Sequence, residues 1–147
     1  MRSLLALLVA VVGATSVVAQ ETGAYSQGEN PFQADYEFVL GRPIEVRVDV
    51  QGVRIDQVTL LALEEVRPGS EVRGEIQIAG SNVGDKKATL TLVMLLEDAN
   101  GKGLGRVSME PFKAKTGKPF DQRQKVTIAA NSLNGALRVF LFVQAAF

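Results

Sequence analysis

The chain has 147 residues, with 16 basic and 16 acidic side chains, no histidine and no cysteine. Balanced charge excludes the basic footprint that nucleic acid or an anionic lipid surface selects. Lack of cysteine excludes a disulfide framework, so packing alone has to hold the fold.

Residues 1–19 read as a secretory signal peptide. Arg2 supplies the charged start, Leu4 to Val12 is an unbroken apolar run, and Val17-Val18-Ala19 ends in a small residue before Gln20. The apolar stretch is short for a membrane span of about 20 residues. An uncleaved N-terminal anchor is the alternative. The expected destination is a periplasm, a cell envelope or the extracellular space. Taking off these nineteen residues removes Arg2 and leaves 128 residues with a formal charge of −1, suited to one domain.

Gln20 to Pro31 is polar, with Gly23, Gly28, Asn30 and Pro31, and reads as a flexible arm. From Phe32 the period is two: Phe32, Ala34, Tyr36, Phe38 and Leu40 alternate with polar residues and with Val39. Successive strand side chains point to opposite faces, so this is a half-buried strand. Ile44, Val46, Val48 and Val50, interleaved with Glu45, Arg47 and Asp49, form the clearest strand. Arg54 to Val66 fits both periods. Val58, Leu61 and Ala62 suit a helix, whereas Val58, Leu60 and Ala62 suit a strand, which hairpin neighbours favour.

Val72, Gly74, Ile76 and Ile78 make the next inward row, then Ala88, Leu90, Leu92, Met94 and Leu96. Val93 and Leu95 make the second face of that later strand apolar too, which predicts a central strand or one covered on both sides. Asn100-Gly101 predicts a type I′ hairpin turn, whose two central residues need φ > 0. Gly105, Val107 and Met109 continue beyond it. Pro111 to Pro119 reads as a loop, Val126 to Ala130 as a strand and Asn131 to Gly135 as a turn. Leu137 to Val143 is the closing strand. About eight short strands with regular turn signals predict an all-β, antiparallel, immunoglobulin-like sandwich over residues 32–147.

The stretch Val72–Ala130 resembles the immunoglobulin-like modules of bacterial envelope proteins, of the FxLYD and CARDB types. The likeness rests on three features. An alternating strand runs into Gly80-Ser81-Asn82-Val83-Gly84. An aliphatic strand ends in Leu96-Glu97-Asp98 before Ala99-Asn100-Gly101-Lys102. Phe120 precedes the strand Val126–Ala130. Glu97 stands where those modules carry an aromatic. The resemblance implies a sandwich in an envelope setting and brings no catalytic residue.

Chemistry-bearing constellations are sparse. A serine nucleophile such as Ser81 or Ser108 lacks a histidine base. Glu64-Glu65 and Glu97-Asp98 are neighbours on strands and so face opposite ways, unsuited to shared acid–base work. Asp98-Ala99-Asn100-Gly101 starts like a calcium loop, but Met109 occupies the position of the closing acidic ligand. No cofactor is expected. Lys113, Lys115, Lys118, Arg123 and Lys125 surround Phe112 and Phe120, a stretch that could face a partner. Phe140 and Phe142 fall on the far side of the last strand from Leu137, Val139, Leu141 and Val143. Two phenylalanines there call for cover by a loop, the arm or a partner.

These features predict a non-enzymatic secreted or envelope interaction module, or an accessory subunit of a larger assembly. Its partner is expected to be another protein, with a membrane entering at most as a surface contact. Terminal Phe147 after an alternating strand also suits a small outer-membrane barrel. Against that, two tyrosines and no tryptophan are too few for aromatic girdles. An enzyme comes last.

Overall fold

The computed structural model describes residues 24–147; the expected signal peptide, its expected boundary at Gln20 and the first residues of the expected arm lie outside the described residues. Among these residues the period-two segments become nine strands: β1 (Ser26–Gln27), β2 (Phe32–Glu37), β3 (Ile44–Val50), β4 (Val53–Ala62), β5 (Glu71–Asn82), β6 (Ala88–Glu97), β7 (Gly103–Ala114), β8 (Lys118–Ala129) and β9 (Arg138–Ala146). A short helix, α1 (Ala130–Asn134), replaces the turn expected before β9. Two sheets pack face to face, one ordered β1-β3-β4-β5-β8 and the other β2-β9-β6-β7. All neighbours are antiparallel except the β1–β3 pair. Neither sheet closes on itself, so the architecture is an open sandwich and not a barrel.

The core follows the alternation. Val48, Ile76, Ile78, Leu90 and Leu92 are fully enclosed and Val46 is buried. Glu45 and Arg47 face solvent, while Glu75 and Gln77 are half-buried because β5 is flanked by both β4 and β8. The ambiguous stretch is a strand over Val53–Ala62.

Several local readings need correction. Residues 24–31 are tied down along part of the expected arm. Ser26 and Gln27 pair with Val48 and Asp49, and Gly28 N–H donates to the Asp49 carbonyl at 2.9 Å. A Cβ at Gly28 would lie 2.5 Å from Val48 Cγ2, so only glycine permits this approach. The Asn30 amide bonds the Ala145 backbone both ways, at 2.7 and 3.0 Å, and so imitates one more residue of the β2–β9 ladder.

The expected loop Pro111–Pro119 belongs mostly to β7 and β8. Pro111 is tolerated because β7 is a sheet edge and its ladder shifts between Leu90 and Leu92, where a missing N–H costs nothing. The turn at Asn100-Gly101 is not type I′, since only Gly101 has positive φ, at 83°. Asp98 sets it instead: its carboxylate accepts from Asn100 N–H (2.8 Å) and Lys102 N–H (2.9 Å), and its carbonyl from Gly101 N–H. Both positive φ angles occur at Gln51 and Gly52, in the two-residue turn between β3 and β4. Leu137 stands before β9 and is 57% exposed, so it drops out of the core row that Val139, Leu141 and Val143 fill.

Asn82 is fully buried at the end of β5. Its Nδ2 donates to the carbonyls of Lys86 (2.8 Å) and Ala114 (3.0 Å), and its Oδ1 accepts from Gly84 N–H (3.0 Å). Ala114 ends β7 in the opposite sheet, so this side chain links the two layers.

Two outcomes check this packing. Val48→Asp should lower the unfolding free energy in a urea titration by about 3 kcal/mol or more, because an unpaired charge would be buried. Arg47→Asp should cost less than about 1 kcal/mol, since the site is exposed and aspartate accepts its φ of 50°. Equal losses would contradict the register. Asn82→Ala should cost about 2–4 kcal/mol, because it strands two carbonyls and an N–H at once. A loss under about 1 kcal/mol would show that the bridge is dispensable.

Candidate interaction surface

In β9 the inward row leaves Phe140 and Phe142 on the outer face of the four-stranded sheet, both half-buried. Register sets their neighbours. Phe140 lies between Asp35 of β2 and Leu95 of β6, and Phe142 between Gln33 and Val93. Beyond them on β7, Arg106 pairs with Leu95 and Ser108 with Val93. Four apolar side chains thus form a block on the two central strands, with polar residues on the two edge strands. Leu95 is 37% exposed. The arm, one of the three covers expected for this face, runs to β3 of the other sheet. Phe140 and Phe142 were legible from sequence; Leu95, Asp35 and Arg106 join them only through register.

One end of the block is charged. Glu37, Arg138, Glu97 and Gly103 form the adjacent row. Partial burial, a hydrogen bond shared with the Asp35 carboxylate and repulsion from Asp35 hold the Glu97 carboxyl above its ordinary range, with Arg138 opposing. Glu97 Oε1 is shielded from solvent and has no hydrogen-bond partner among the described residues.

The basic stretch does not converge on one patch. Lys113 lies opposite Thr89 at the edge of the four-stranded sheet, and Lys115 and Lys118 flank the β7–β8 turn. Arg123 lies on the outer face of the five-stranded sheet, opposite Gln77, and pairs with Asp121 at 3.3 Å. Phe112 and Phe120 turn inward instead, with ring centroids 5.5 Å apart. The lysines and Arg123 are therefore spread over a sandwich edge and both outer faces.

The outer face of the five-stranded sheet is polar and largely paired. Tyr25 donates to the Asp56 carboxylate, and the Arg54 guanidinium sits 4.9 Å from its ring centroid. That hydrogen bond is the main cause of a raised Tyr25 pKa. Arg54 also reaches Asp49 (3.4 Å), and Arg73 reaches Glu64 (3.1 Å). Tyr25 escaped the sequence reading because it lies in a segment with no alternation.

The carboxylate pairs do not converge. Glu64 accepts from Arg73 and Glu65 from Arg67. Among the described residues no three acidic side chains are grouped to hold a metal ion. The surface depressions are shallow, such as one bounded by Gln51, Gly84, Asp85, Lys86 and Phe147. A second, bounded by Glu64, Glu65, Arg67, Ser70 and Glu71, sets a serine near carboxylates, but Ser70 Oγ donates to the Arg67 carbonyl at 2.7 Å and Glu64 and Glu65 accept from Arg73 and Arg67.

The Glu97 site makes a pH-dependent forecast. A carboxyl with a raised pKa in the folded chain binds its proton more tightly there than in the unfolded chain. Stability therefore falls as pH climbs from the ordinary glutamate range to the raised value, and the penalty is complete above it. Glu97→Gln should raise the Tm at pH 7, and the gain should shrink as pH falls towards 4 (about the ordinary glutamate pKa). An unchanged Tm at pH 7 would show that Glu97 carries no such penalty.

No protein-family model matches this chain, and no curated protein matches it. Its function has to be argued from its own surfaces.

Proposed function

We propose that this chain is a non-enzymatic, exported interaction module: an immunoglobulin-like sandwich that engages another protein in the envelope or outside the cell. The apolar run after Arg2 supports export. The interlocked pairs β5–β8 and β6–β9 support the immunoglobulin-like reading, because that fold sets strand B beside E in one sheet and C beside F in the other.

The observation that carries the interaction reading is the apolar block of Val93, Leu95, Phe140 and Phe142. A sandwich needs apolar residues only on its two inner faces. A contiguous block on an outer face, rimmed by charge, has the anatomy of a protein interface, with an apolar centre and a polar rim. Face docking is also favoured over strand addition. Edge β7 is interrupted by Pro111 and a ladder shift, and edge β8 carries Lys118, Asp121, Arg123 and Lys125, all of which discourage pairing.

A photo-crosslinking residue at Leu95 tests this in cells of the source. Illumination should give a discrete protein adduct from position 95. A control at Thr127, on the outer face of the five-stranded sheet, should give none. No adduct from 95, or equal adducts from both positions, would end the proposal.

A further inference from the structure

We infer that the occupant of this face is a second copy of the same chain, packed sheet against sheet about a two-fold axis parallel to the strands. The inference rests on the reading that this face is the docking surface and adds the identity of the partner.

Two identical sheets that meet face to face must be related by an axis lying in the interface plane. If the axis ran across the strands, each strand would cover its own counterpart. The acidic β2 edge, with Asp35 and Glu37, would then meet itself. If it runs along the strands, between β9 and β6, it exchanges β2 with β7 and β9 with β6. The order β2-β9-β6-β7 makes this exchange symmetrical.

Register then decides what meets what. Asp35, Phe140, Leu95 and Arg106 form one row across the sheet. The exchange lays Asp35 over Arg106 of the second copy and Phe140 over its Leu95. In the next row Phe142 covers Val93, and Gln33 faces Ser108. In the charged row Arg138 faces Glu97 of the second copy, while Glu37 lies over Gly103, which has no side chain to obstruct it. Within these three rows every charged position but Glu37 meets its opposite, and every apolar position meets an apolar one.

One property of the single chain fits this arrangement. Asp35 and Glu97 repel within one chain, and each gains an arginine across the axis. Stacked sheets lie about 10 Å apart, a gap that an arginine and a carboxylate together can span. The face measures about 19 Å over four strands and about 30 Å along β9, so each copy would contribute roughly 600 Å². That reaches the lower end of specific interfaces, about 1,200 Å² in total, and implies a dimer that dissociates on dilution.

The test uses the protein recovered from the extracytoplasmic fraction and sedimentation equilibrium over a wide range of concentration. The unaltered protein should dimerise reversibly, and more weakly in high salt. Asp35→Lys sets a lysine against the second copy's arginine twice per dimer, and Arg106→Asp sets two carboxylates together. Each should weaken dimerisation at least about tenfold. Asp35→Lys combined with Arg106→Asp restores opposite charges and should recover the dimer, a rescue that only a self-complementary face allows. Unchanged far-ultraviolet circular dichroism and cooperative melting confirm that each variant folds.

Two results would overturn the inference: a monomer up to about 0.5 mM, well above the micromolar range of specific interfaces, or a double variant that stays as weak as the single ones. The photo-crosslink at Leu95 separates this from the broader reading. Adducts at twice the chain mass support the dimer. Adducts of another mass with a monomeric purified protein overturn the dimer and leave the interaction module standing. No adduct at all overturns both.

Discussion

The two layers of this sandwich are held in register at one end by a single enclosed amide. Two of the crossings between the sheets, from β5 to β6 and from β7 to β8, run past Asn82. Its side chain bonds the Lys86 carbonyl in the first and the Ala114 carbonyl just before the second. Gly84 N–H fills the remaining acceptor, and the Asn82 carbonyl itself accepts from Gly117 N–H at 2.8 Å. Crossings between layers break ladders and leave backbone groups without partners. Buried, those groups cost more unsatisfied than a typical hydrogen bond contributes when made. One asparagine satisfies several of them, which lets β5 and β7 run twelve residues each and still end inside the fold.

That fixed layering gives the outer faces their meaning. Once β9 and β6 are the central strands of their sheet, their inward rows are committed to the core. Whatever lies on the alternate row is displayed outward by geometry alone. On the five-stranded sheet that row is largely polar, and several of its charges find partners within the chain at Arg54–Asp49, Arg73–Glu64 and Arg123–Asp121. These exposed pairs contribute little to stability, and Glu45, Glu71 and Lys125 on the same face stay exposed to solvent. On the four-stranded sheet the same row places Phe140, Phe142, Val93 and Leu95 side by side. Burying them is not required for the core, which is complete without them. Their contiguity is a property of the surface, and a surface property calls for a surface role.

The strands were legible because period two survives wherever one face of a strand is buried. It gave the rows of β3, β5, β6 and β9, and it tipped Val53–Ala62 towards strand although that segment also satisfies a helical period. It failed where hydrogen bonding to side chains replaces pattern. Asn30 and Gly28 fasten the arm through backbone contacts that no hydrophobic periodicity announces. Asn100-Gly101 has the composition of a type I′ turn, yet Asp98 captures two N–H groups and sets a different one. Gln51-Gly52, a less obvious pair, adopts the positive angles because a two-residue connection between β3 and β4 demands them. The candidate surface was half legible. Two phenylalanines out of phase with the core could be read along the chain. Their charged neighbours Asp35 and Arg106 lie 105 and 34 residues before Phe140, and only strand pairing places them in its row.

Chain order adds a constraint on when this surface exists. β9 is the last strand, and it inserts between β2 and β6, which are far from it in sequence. Before it docks, β2 has no neighbour in the four-stranded sheet, and half of the apolar block is missing. Contacts of such separation form late, because loop closure has to be paid before they give any return. Phe140, Leu95 and the flanking Asp35 and Arg106 lie on four strands that come together only in the finished domain. The face cannot be presented by a chain that is still incomplete or still extended. The most apolar part of this surface therefore assembles only once β9 lies between β2 and β6.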